Sequence, residues 1–327
     1  MIFMRCSLCM CLIFASIISC KDNPADTGGP IDPVTPGYHN PFNDNFPVWS
    51  PDGLKILYQH WGLKFIIYDE KYLHYYDYGN RDSMGLWIMN PDGSDPHMML
   101  NGQFSSYDWS PDCSWIAIFI EGRIWKIPYN NGVLDESNIS LLVQEMGTTF
   151  PRFSPDGEWI IYYKWINDEY GKDGLWIMRN DGSERRHFGK GSNPSWHPDG
   201  DKVIATRWQN GTKFYFILFY PFEDKKPDTL KIDFKEILNN PLYSPDGSKI
   251  LFVHDIYGQK HLCLVNSDGS NPFMLTDGTD PSWSPDGTEI VFVRDLPDPR
   301  DTGSIWIINV NGENLRQLTR GKVINKK

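Results

Sequence analysis

The side chains that could do chemistry are scattered along this chain. Its eight histidines (His39, His60, His74, His97, His187, His197, His254 and His261) include no His-Glu-x-x-His pair. There is no Gly-x-Ser-x-Gly elbow for a nucleophile, no glycine loop to cradle phosphate and no paired-cysteine zinc spacing. Asn266-Ser267-Asp268-Gly269 has the outline of a calcium loop, but a tight hairpin turn accounts for it equally well. No catalytic residue, metal or cofactor is therefore expected. The densest group suited to contact is Tyr68, Tyr72, His74, Tyr75, Tyr76 and Tyr78 among Asp69, Glu70, Lys71 and Asp77. Tyrosine offers area and a hydroxyl at low entropy cost, so this pattern suits binding of a protein or glycan.

The elements that would position these residues recur along the chain. Asp280–Arg294 reads as a strand ending in an aromatic residue, a Ser-Pro-Asp-Gly turn and a β-branched and aromatic run. The turn recurs at Trp49-Ser50-Pro51-Asp52-Gly53, Trp109-Ser110-Pro111-Asp112-Cys113, Phe153-Ser154-Pro155-Asp156-Gly157, Trp196-His197-Pro198-Asp199-Gly200 and Tyr243-Ser244-Pro245-Asp246-Gly247. Its spacings of 60, 44, 43, 47 and 40 residues approximate one four-stranded blade each. A second signature, as in Leu86-Trp87-Ile88-Met89 or Ile305-Trp306-Ile307-Ile308, marks the third strand, and turns such as Asn180-Asp181-Gly182 lead to a short outer strand. The expected fold is all-β, a six-bladed propeller of four-stranded antiparallel blades. Both aromatic columns are expected in the core, filling the wedges between blades.

The repeat Pro-x-Trp-Ser-Pro-Asp-Gly, with Ile-Trp and a closing Leu-Thr, resembles the TolB-like six-bladed propeller repeat over about residues 46–319. The chain departs from that pattern in three places. Cys113 stands where the turn glycine belongs, which costs about 1 kcal/mol if φ is positive. The fourth unit carries Pro221–Pro227 in place of an Asp-Gly turn, and a linker stands where TolB has an α/β domain. The resemblance implies that the channel funnel accepts a partner. Oligogalacturonate lyases also resemble this propeller, which implies an alternative: a polysaccharide-active lyase or hydrolase with His60 and His254 at a metal site in the channel mouth.

Residues 1–19 read as a secretory signal, with Arg5 before the apolar run Leu8–Ile18. Ile17-Ile18-Ser19-Cys20 resembles a bacterial lipoprotein signal, which implies lipidation at Cys20 and residence in the cell envelope. The protein is then expected on the periplasmic or surface side, held by its lipid alone, with the outer membrane the expected membrane. Residues 20–45, rich in Pro, Gly, Asp and Asn, read as a flexible tether, and 320–327 as a C-terminal tail. The net charge of −11 argues against nucleic acid as a partner. Cys113 and Cys263 fall in opposite blades, so no bridge joins them, and a monomer is expected.

If the first two strands of each blade are antiparallel, both sets of tight turns share one face. The connections on the other face hold the variation, at Gln59–Met84, Trp165–Asp173, Trp208–Thr212, Asp255–Lys260 and Asp295–Gly303. Binding is expected there. The channel mouth is expected to be lined by Asn45, Ser106, Phe150, Asn193, Asn240 and Asp280, with Val48, Asp108, Arg152, Ser195, Leu242 and Ser282 beside them. The partner-binding set is thus Tyr68, Tyr72, Tyr75, Tyr76, Asp108, Arg152, Asn193, Asn240 and Asp280.

Overall fold

The computed structural model describes residues 44–61, 65–69, 72–77, 83–165, 173–209, 213–232, 237–294 and 304–319. The leader, Cys20, residues 20–43 of the tether and the tail lie outside them, while Asp44 and Asn45, expected in the tether, open the first strand. Six sheets follow one another along the chain. Blade 1 is β1 (Asp44–Trp49), β2 (Ile56–His60), β5 (Gly85–Met89) and β6 (His97–Asn101), interrupted by a separate hairpin of β3 (Phe65–Asp69) and β4 (Tyr72–Asp77). Blade 2 is β7 (Tyr107–Trp109), β8 (Trp115–Ile120) and β9 (Arg123–Asn130). Strands β10 (Val133–Leu134) and β11 (Ser140–Val143) both pair with β9. Blade 3 is β12 (Thr148–Phe153), β13 (Trp159–Lys164), β14 (Gly174–Arg179) and β15 (Arg186–Gly189). Blade 4 is β16 (Ser192–Trp196), β17 (Val203–Gln209), β18 (Lys213–Phe219) and β19 (Asp228–Leu230). Blade 5 is β20 (Ile237–Tyr243), β21 (Lys249–Ile256), β22 (Gln259–Asn266) and β23 (Phe273–Asp277). Blade 6 is β24 (Thr279–Trp283), β25 (Glu289–Arg294), β26 (Ser304–Asn309) and β27 (Arg316–Gln317).

The second strand of each blade is apolar almost throughout because both of its faces are buried, against different neighbours. Ile160 and Tyr162 of β13 pack against blade 2, whereas Ile161 and Tyr163 of the same strand pack against blade 4. The same split sends Ile250 and Phe252 to blade 4 and Leu251 and Val253 to blade 6. Six hydrophobic clusters result, one for each blade-to-blade interface. Among the described residues no strand is shared between the first and last blades. Apolar packing closes most of that seam, Trp49, Ile56, Tyr58 and Met89 of blade 1 meeting Val291, Ile305 and Ile307 of blade 6.

The aromatic residue before each turn is buried in all six blades, as expected. The third-strand tryptophans Trp87, Trp125, Trp176 and Trp306 are only partly buried. A side chain from the adjacent strand lies on three of these rings: the His60 ring on Trp87, Lys164 Nζ on Trp176 and Arg294 Cζ on Trp306, at 5.1, 5.4 and 5.5 Å from the ring centre.

Five of the six Ser-Pro-Asp-Gly corners share one hydrogen-bond clamp. Ser284 shows the pattern: Oγ donates to Asp286 at 2.6 Å and accepts the Glu289 N–H at 2.9 Å, while Asp286 accepts the Thr288 N–H at 3.0 Å. Ser50, Ser110, Ser154 and Ser244 repeat it. These bonds favour the ionised carboxylate and hold Asp112, Asp246 and Asp286 below the usual range. Blade 4 breaks the pattern, because His197 has no hydroxyl to offer.

Side chains also tie neighbouring innermost strands together. Ser282 accepts the Trp49 N–H at 3.1 Å, Ser195 the Tyr243 N–H at 3.2 Å and Asp108 the Phe153 N–H at 2.8 Å. Asp108 lies 4.0 Å from Arg152, yet burial outweighs that charge and pushes its carboxyl up to about 6.

Cys113 holds φ = +57° where the other five corners have glycine between +70° and +74°. Cys113→Gly should therefore raise stability by about 1 kcal/mol in urea unfolding; an unchanged midpoint would show that no strain is stored there. A second outcome follows from the raised carboxyl of Asp108. Between about pH 4 and 6 the folded state keeps a proton that the unfolded chain has released, so its contribution is full below pH 4 and lost as pH rises through 6. Relative to Asp108→Asn, the parent protein should lose on the order of 2 kcal/mol between pH 4 and pH 7; parallel pH profiles would contradict the assignment.

Candidate functional site

Antiparallel pairing fixes two unlike ends of the ring. The Ser-Pro-Asp-Gly corners and the third-to-fourth-strand turns form the turn face; the second-to-third-strand connections and the links between blades form the loop face. Around the turn face the corners touch in sequence, the position of Gly157 facing Pro111, Gly200 facing Pro155 and Gly287 facing Pro245. That row departs from its repeat only at Cys113 and His197.

The loop face is irregular. In blade 1 the β3–β4 hairpin is inserted there, pairing Asp69 with Tyr72 and Ile67 with Tyr75. It carries Tyr68, Tyr72, Tyr75 and Tyr76, whose side chains lie outside the described residues. Much of the expected variable set, within 62–82, 166–172, 210–212 and 295–303, also lies outside them. One of the expected loops is not a loop. β21 and β22 run on to Ile256 and Gln259 and reverse through Tyr257-Gly258 alone, at φ = +52° and +89°. These are the positive dihedrals a two-residue hairpin requires. Blade 2 reverses in the same way through Glu121-Gly122.

A tryptophan position that sequence reasoning passed over lies on this rim. The innermost pairings Trp49–Ile56, Phe153–Ile160 and Trp196–Val203 put the blades in register. In that register Trp61, Trp165 and Trp208 are equivalent, each ten residues beyond the turn proline. Glu121 and Asp255 hold the position in blades 2 and 5. Trp61 is partly exposed, and Trp165 and Trp208 show 47% and 50% of their surface. The constant offset from proline is the signal that would have found them.

The residues expected at the starts of the innermost strands fall at equivalent positions in the register, with one shift. Phe46, Phe150, Asn193, Asn240 and Asp280 all sit at φ near +50° on a bulge and precede proline, so Phe46 and not Asn45 is the blade 1 member. The expectation slipped by one residue because a bulge adds a residue that strand counting misses. Blade 2 lacks the bulge; there Ser106 is buried and accepts the Phe150 N–H at 2.8 Å. Asn193 donates to Asn239 at 2.7 Å across blades 4 and 5. Asp108, Ser195 and Ser282 serve the strand ties described above. Arg152 donates to the Tyr107 carbonyl at 3.1 Å.

His60 and His254 stand in blades 1 and 5. His60 Nδ1 is 2.6 Å from the buried Asp44, and His254 is buried. Among the described residues the group of metal-capable side chains that converges is a different one, His197, Asp199 and Asp201. Cys113 and Cys263 are free, as expected, and burial pushes the Cys263 thiol up to about 12. Among the described residues no helix is long and apolar enough to cross a membrane.

No family model matches the chain. Among solved structures it is similar to a TolB from Agrobacterium tumefaciens (TM-score 0.57, 22% identity, 69% of this chain and 84% of that one). It is also similar to TolB from Acinetobacter baumannii (0.61, 22%, 70% and 58%), so it spans little more than half the length of that protein. An oligogalacturonate lyase in complex with manganese matches at 0.52 and 12% identity, over 82% of this chain and 88% of that one. At these identities the likeness is one of fold: the protein is a TolB-like six-bladed β-propeller.

Proposed function

We propose that this protein is a non-catalytic propeller of the bacterial cell envelope that binds a protein partner through its loop face and channel mouth. The observation that carries this reading is the contrast between the two faces. Repetition holds five of the six first-to-second-strand corners on the turn face to one hydrogen-bonded form, whereas the loop face carries an inserted hairpin and a shared rim position filled by tryptophan in three blades. Half-exposed tryptophan is a poor choice for a solvated rim and a good anchor for a partner. Glu121 and Asp255 at the equivalent position favour a partner with basic groups around an apolar centre. Localisation rests on the signal around Cys20, whose acyl chains would hold the propeller at a membrane, the outer membrane being the expected one, with the 20–45 tether between them.

Photo-crosslinkers placed in living cells at Tyr76 and at Trp165 should capture one discrete protein, whereas one at Leu54 on the turn face should not. The double variant Trp165→Ala and Trp208→Ala should reduce the Tyr76 adduct at least about tenfold while leaving the melting temperature within a few degrees. Adducts from Leu54 alone, or an unaltered yield from the double variant, would place recognition elsewhere. In the same cells Cys20→Ser should move the protein from the membrane to the soluble fraction; continued membrane association would refute the lipid anchor.

A further inference from the structure

We propose that His197, Asp199 and Asp201, on the turn face of blade 4, form a binding site for a zinc-like divalent cation. His197 replaces the serine that clamps the other corners. Without that hydroxyl the serine clamp on Asp199 is missing; like the other corner aspartates its side chain is open to solvent, at 77% exposure. His197 itself is only 9% exposed. Its Nδ1 stands 3.4 Å from an oxygen of Asp199 and 3.5 Å from Oδ1 of Asp201. Both separations are long for a hydrogen bond. They match the edge of a tetrahedron with metal–ligand bonds of about 2.1 Å, which is about 3.4 Å.

The state of the ring agrees with that geometry. Nε2 is the ring atom nearest Gly247, whose backbone forms a hydrogen bond with the imidazole, which leaves Nδ1 for the carboxylates. Nδ1 accepts the Asp199 backbone N–H at 3.3 Å, a long bond that marks Nδ1 as the unprotonated ring nitrogen and that a cation there would displace. Lys202 lies 3.6 Å from the other oxygen of Asp201, so Oδ1 is not its partner. One imidazole and two carboxylates suit a borderline cation of the zinc class better than calcium, which takes oxygen ligands alone. A surface hollow lined by Asp156, Asp199, Asp201 and Phe222 adjoins the group and leaves room for a fourth ligand. The site faces away from the loop rim, so it stands or falls independently of partner binding.

Co²⁺ is a suitable probe, because tetrahedral coordination gives it visible absorption. Titration of the purified protein should produce a band that saturates at one equivalent and is bleached by Zn²⁺. His197→Ser restores the corner of the other five blades and should fold, as checked by melting, yet lose the band. Asp201→Asn should weaken binding at least about tenfold. A parent protein with no saturable band, or a His197→Ser variant that binds Co²⁺ equally well, would overturn the proposal.

Discussion

Burial on both faces of every blade is the constraint from which the rest of this structure follows. A second strand such as β13 has no solvent side: Ile160 and Tyr162 belong to one interface and Ile161 and Tyr163 to the next. Shifting such a strand by one residue would exchange its contacts with both neighbours at once. Closure of the ring is the same physics applied once more, since blade 1 meets blade 6 through Trp49, Ile56 and Met89 against Val291 and Ile307, with no strand in common among the described residues. The hydrogen bonds that cross between blades, such as Ser282 to the Trp49 N–H, align surfaces that apolar burial has already brought together.

That constraint separates the two ends of the molecule. On the turn face the chain must reverse between two strands already fixed by packing, and Ser-Pro-Asp-Gly does so with a clamp that uses the serine and aspartate side chains on the corner itself. A corner whose polar groups bind each other has little left for a ligand. Blade 4 is the exception because His197 cannot make the clamp, and there Asp199 and Asp201 are left facing an imidazole. On the loop face the strands end at different heights, and the connections between them are under no such limit. The hairpin in blade 1 and the rim tryptophans exploit that freedom.

Much of the fold was legible in the sequence because its signals are local. Pro at the first central position of each corner, glycine near φ = +70° and the Trp or Tyr before it can be recognised without knowing what they pack against. The same locality foretold the strain at Cys113. What escaped depends on registers between strands. The bulge that makes Phe46 the partner of Phe150 changes the count by one residue, and Tyr257-Gly258 looks like part of a loop until β21 and β22 are paired to their ends. The side chains that lie on Trp87, Trp176 and Trp306 come from the adjacent strand, a pairing that composition alone does not reveal. Of the candidate site, the unlikeness of the two faces was legible from where the repeats differ. The equivalence of Trp61, Trp165 and Trp208 emerged only when the six innermost pairings were laid in register.

The division of labour between the two faces can be measured directly by hydroxyl-radical footprinting of the protein in intact cells against the same protein purified. Trp165, Trp208 and Tyr257, the last 96% exposed, report on the loop face, while Leu54 and Phe222 report on the turn face. The account predicts that Trp165 and Trp208 lose reactivity in cells while Leu54 and Phe222 keep theirs. Protection of Leu54 and Phe222 with an unprotected tryptophan rim would contradict it.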